Sequence, residues 1–94
     1  MTKITEEEFA RICQQIATDA DIILKHNRIG TREETLLWML LGVLISYLSL
    51  SEVEAPCFTG VPVEKTYRQA ILFILKDRKA HPFEPEKYID KMLS

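Results

Sequence analysis

Between Leu36 and Leu50 the chain reads LLWMLLGVLISYLSL, fifteen residues without a charge. Apolar surface of that extent has to leave water. It can do so in a core, at an interface or in a membrane, and each choice makes a different protein.

Length argues against the membrane. As a helix the run spans about 22 Å, against a hydrocarbon core near 30 Å. Arg32, Glu33 and Glu34 precede it, and Glu52 and Glu54 follow it. A buried helix is therefore expected from about 32 to 50. Thr31 and Glu34 are spaced as a capping box, and Glu33 and Glu34 put negative charge at the favoured end of the helix dipole. No alternation of period two is present to suggest a strand.

Set out at about 100° per residue, the helix has two unlike sides. Leu36, Leu37, Leu40, Leu41, Val43, Leu44, Tyr47 and Leu48 form a broad bulky face. Thr35, Trp38, Gly42, Ser46 and Ser49 stand opposite, small apart from the tryptophan. Gly42 costs about 1 kcal/mol of helix propensity against alanine, so a close approach of another backbone is expected there.

The rest of the chain is read around this segment. Thr5 and Glu8 are spaced as a second capping box. Phe9, Ile12, Cys13, Ile16, Ala17, Ala20, Ile23 and Leu24 follow at helical spacing, with Ile22 off that face. A helix over about 6–28 is expected, stopped by Gly30 and paired antiparallel with the next in a hairpin. Glu7 with Arg11, Asp21 with Lys25 and Glu64 with Arg68 are acid-before-base pairs four apart. Residues 51–61 hold Pro56 and Gly60, and Val53, Phe58 and Val61 suggest packing over the hairpin. Pro62 suits the start of a third helix, about 62–79, lying across the hairpin. Val63, Tyr67, Ala70, Ile71 and Ile74 form its main apolar face, and Leu72 and Phe73 point elsewhere. His81–Pro82 ends it, and Pro85 opens a short last helix over about 85–93, with Tyr88, Ile89, Met92 and Leu93 on its apolar side.

The fold class read from this is all-α and bundle-like, in one domain over residues 1–94. At 47% apolar and 28% charged, the composition is that of a globular chain. Residues 1–50 carry five basic and seven acidic groups, and residues 51–94 seven of each. The net charge of −2 supplies no basic field, which disfavours nucleic acid as a partner. Two cysteines make no disulfide framework, and MTKITEEEF has no apolar signal core, so a cytoplasmic setting is expected.

No pattern for chemistry stands out. Cys13 falls on an apolar helix face, where a thiol behaves as a small hydrophobe. Cys57 has neither a histidine nearby in sequence nor a second cysteine at CxxC spacing. His26 and His81 each stand alone, without a ligand at i+3 or i+4. Asp19 and Asp21 lie on opposite sides of their helix, and Glu6, Glu7 and Glu8 suit a helix start. Gly-rich phosphate loops, GxSxG and HExxH are absent. No cofactor, no metal and no catalytic residue is expected.

What remains is a surplus of apolar helix. One copy of the chain leaves Trp38, Gly42, Ile45, Ser46 and Ser49, or the edge at Leu72 and Phe73, without cover. These seven residues are the expected interface. The function read from the sequence is a non-enzymatic module that self-associates as a homodimer and docks a protein partner. Two alternatives use the basic end at Lys76, Arg78, Lys79 and His81. One is a nucleic-acid-associated regulator, and the other is a small hydrolase or nuclease acting through Arg78 and His81.

Overall fold

Threonine hydroxyls start the first two helices. Thr5 Oγ1 accepts the Glu8 N–H at 3.1 Å, and Thr31 Oγ1 accepts the Glu34 N–H at 3.0 Å, each meeting a donor that the first turn leaves unpaired. The computed structural model describes residues 4–27, 30–48, 60, 62–77 and 83–94. Among these it is all-helical, with α1 (Glu6–Asn27), α2 (Arg32–Tyr47), α3 (Val63–Asp77) and α4 (Pro85–Leu93).

Gly30 separates α1 from α2 at φ +77°, a conformation that suits glycine. A Cβ there would also stand 3.0 Å from Glu34 Oε2. α2 closes sooner than its sequence suggests. Leu48 is its C-cap and donates its N–H to Leu44 O at 2.9 Å, while residues 49 and 50 lie outside the described residues. Pro62 precedes α3, where its carbonyl accepts the Thr66 N–H at 2.9 Å. Pro85 occupies the start of α4, as the sequence leads one to expect.

Hydrogen bonds and ion pairs fix how the helices run. Tyr47 at the end of α2 donates to Glu8 at the start of α1, so these two are antiparallel. Thr31 donates to Glu64 Oε1 at 3.0 Å, which sets the start of α3 beside the start of α2. Arg68 pairs with Asp90, Lys76 with Glu86, and Arg32 Nη1 reaches Leu93 O at 3.2 Å. α4 is therefore antiparallel to α3 and parallel to α1, where Tyr88 donates to Glu6. α3 lies beside α2 in the same direction, not across the hairpin. Arg68, expected to pair with Glu64 along its own helix, turns to Asp90, because docking of α4 brings that carboxylate within reach.

One core joins all four helices. Phe9, Cys13, Ile16 and Ala20 come from α1, and Leu36, Leu37, Leu40 and Leu44 from α2. Ile71, Ile74 and Leu75 come from α3, and Ile89 and Met92 from α4. An aromatic cluster closes one end, with Phe9 at 5.3 Å from Phe83 and 6.2 Å from Tyr88 between ring centroids. Such offset and edge-on contacts favour the ring quadrupoles. No helix among the described residues is long and apolar enough to cross a membrane.

Candidate interaction surface

The core takes up less than half of the circumference of α2. Leu36, Leu37, Leu40, Leu44 and Leu48 are buried along one arc. On the other side Trp38 is 52% exposed, and Val43 and Tyr47 also face solvent. Together with Met39, Gly42 and Ser46, and with Ile23 of α1, they line one shallow groove between the two helices of the hairpin. Its floor is open at Gly42, where an added Cβ would meet nothing within 4 Å. A hollow therefore sits one turn beyond a protruding indole on the same side of the helix.

The two ends of the groove differ in polarity. At one end the Tyr47 hydroxyl donates to the Glu8 carboxylate, tying α2 to α1. That bond, with some burial and the charge of Glu8, raises the tyrosine's pKa, and Arg11 opposes it weakly. At the other end Ile22, 59% exposed, adjoins Ile23 on α1. Between them Ser46 is the one small polar side chain in the lining.

The expected interface residues do not all meet here. Trp38, Gly42 and Ser46 do, and Ser49 lies outside the described residues. Ile45 is half-buried and is not among the residues that line the groove. Leu72 packs half-buried against the core, so only Phe73, 46% exposed, remains open at that edge of α3. Thr35, expected on the outward side, is buried, since the start of α3 comes down beside Thr31 one turn before it. The sequence puts Val43 and Tyr47 on the same bulky face as the buried leucines. They stand at its margin, where the wheel alone does not say which neighbour reaches them. A clue to Tyr47 was present in its polar tip, which needs a partner at the core's edge.

The other candidates are spread out. Cys13 is buried, and burial pushes its thiol up to about 12, so it stays neutral and unreactive in the folded protein. Of the basic end, Lys76 pairs with Glu86 on α4. Arg78, Lys79 and His81 lie outside the described residues, as do Cys57 and the packing expected of Val53, Phe58 and Val61. Among the described residues no three of His, Cys, Asp and Glu come together as metal ligands would.

Comparison with family models, with curated proteins and with solved structures found no match to the chain.

Proposed function

We propose that this protein is a small helical self-association module, working by contact and not by catalysis, in the cytoplasmic setting that its cysteine content suggests. Two copies meet across the outer side of α2, around Gly42. The observation that carries the reading is the pairing of an exposed Trp38 with the open hollow at Gly42 on a charge-free helix face.

A closed two-fold contact must be self-complementary, each copy offering the same patch. A knob and a hole one turn apart meet that condition, because the indole of each copy enters the hollow of the other. Large aromatics seated in such hollows dominate interface energies, and tryptophan is the most enriched of them. The groove offers contact chemistry: its one phenol is already engaged by Glu8, and its remaining polar groups are the Ser46 hydroxyl and the Trp38 indole N–H.

Trp38 is the only tryptophan in the chain and reports directly on this contact. As protein concentration rises through the micromolar range, its emission maximum moves to shorter wavelength as water leaves the indole. Gly42→Leu fills the hollow and holds the emission at its long-wavelength value at every concentration. An emission maximum that does not change with concentration in the parent protein overturns the reading.

A further inference from the structure

The contact between α1 and α4 is incomplete. α1 presents Ala10 and Ala17, two turns apart with Cys13 between them, and α4 covers them with Met92. The alanines are too short to fill the space between the helices, and a cavity of about 270 Å³ remains. For scale, a dry apolar cavity of about 150 Å³ accepts benzene. The floor is apolar, and the neutral Cys13 thiol puts no negative charge at the bottom.

The mouth is different in kind. Gln14 of α1 and Lys91 of α4 stand at its rim. Neither side chain spends its donors on a described residue. The rim's other polar group, the Tyr88 hydroxyl, is held by Glu6, which draws that carboxylate into a bond. Lys87 lies one turn before Lys91 on α4, with its amine 5.9 Å from the Tyr88 ring centre, and adds positive charge on the same side. An apolar pocket with a few convergent polar donors at its edge is the usual form of a small-molecule site.

We propose that this cavity binds a small amphipathic carboxylate. An apolar body of the size of a phenyl ring with a short chain rests on Ala10, Cys13, Ala17 and Met92, and its carboxylate meets Lys91 and Gln14 at the mouth. The site lies between α1 and α4 and shares no lining residue with the groove at Trp38, so it stands or falls separately from self-association.

The test titrates 3-phenylpropionate into the isotope-labelled full chain and follows amide resonances, with the neutral 3-phenylpropanamide as comparison. Saturable shifts at Ala10, Cys13, Ala17 and Met92 are expected, and the amide binds more weakly. Lys91→Gln, a surface change, weakens the carboxylate about fivefold, the scale of an exposed ion pair. Ala17→Leu fills the cavity and removes binding; should that variant not fold, Lys91→Gln and the amide decide the matter. Shifts that do not saturate, equal binding of acid and amide, or binding indifferent to Lys91→Gln each overturn the proposal.

Discussion

Tyr47 and Tyr88 each bridge two helices through a carboxylate, Tyr47 to Glu8 and Tyr88 to Glu6. Both are raised above the ordinary tyrosine value, chiefly because the neutral phenol donates a hydrogen bond that the phenolate cannot. A group whose folded pKa lies above its unfolded one stabilises the fold below the unfolded value and loses that contribution as pH rises through the folded one. Cys13 acts in the same sense, its contribution being lost between the ordinary thiol value of 9.0 and about 12. Denaturant midpoints are therefore expected to hold steady on the acid side of 9 as far as these groups are concerned, and to fall above it. Tyr47→Phe and Tyr88→Phe together flatten the part of the fall that begins near 10. A midpoint that rises with pH over that range contradicts the assignment. These bonds were hidden in the sequence, since nothing local says that Tyr47 meets Glu8, thirty-nine positions away.

At the scale of the element, helix starts were legible because they are local chemistry. Thr5, Thr31, Gly30 and Pro85 announce their roles within four residues of where they act. Helix faces were legible in their centres and not at their margins. Leu40 and Leu44 are buried, whereas Thr35, set opposite them, is buried as well, Val43 and Tyr47, on their face, are exposed, and Ile45 and Leu72 are half-buried. Periodicity fixes the angle of a side chain about its own axis; the neighbour that arrives decides whether it is covered. The same limit hid the direction of α3 and the cavity between α1 and α4. Gly42 tests the account of α2 at this scale. It sits mid-helix with open space around its Cβ position, so Gly42→Ala is expected to stabilise a dilute, monomeric sample by about 1 kcal/mol through helix propensity. Loss of stability on that change in denaturant unfolding contradicts the open hollow.

At the scale of the molecule, the four helices enclose one core and still leave Ile22, Trp38, Val43, Tyr47 and Phe73 substantially in water. Scattered apolar side chains on a surface need no explanation, but a groove assembled from several of them does. The expectation that one copy holds more apolar helix than it can cover rested on counting faces, and Trp38 and Phe73 lie where that count put them. Leu72 does not, because α3 lies alongside α2 and carries it onto the core. The proposal of a second copy depends on the groove rather than on Phe73, which stands apart from it. Sedimentation equilibrium of the full chain through the micromolar range tests it most directly. The account predicts an apparent mass that climbs from 10.9 kDa toward twice that value, and a Trp38→Ala variant that stays at 10.9 kDa. A parent protein that remains at 10.9 kDa up to its highest soluble concentration contradicts it.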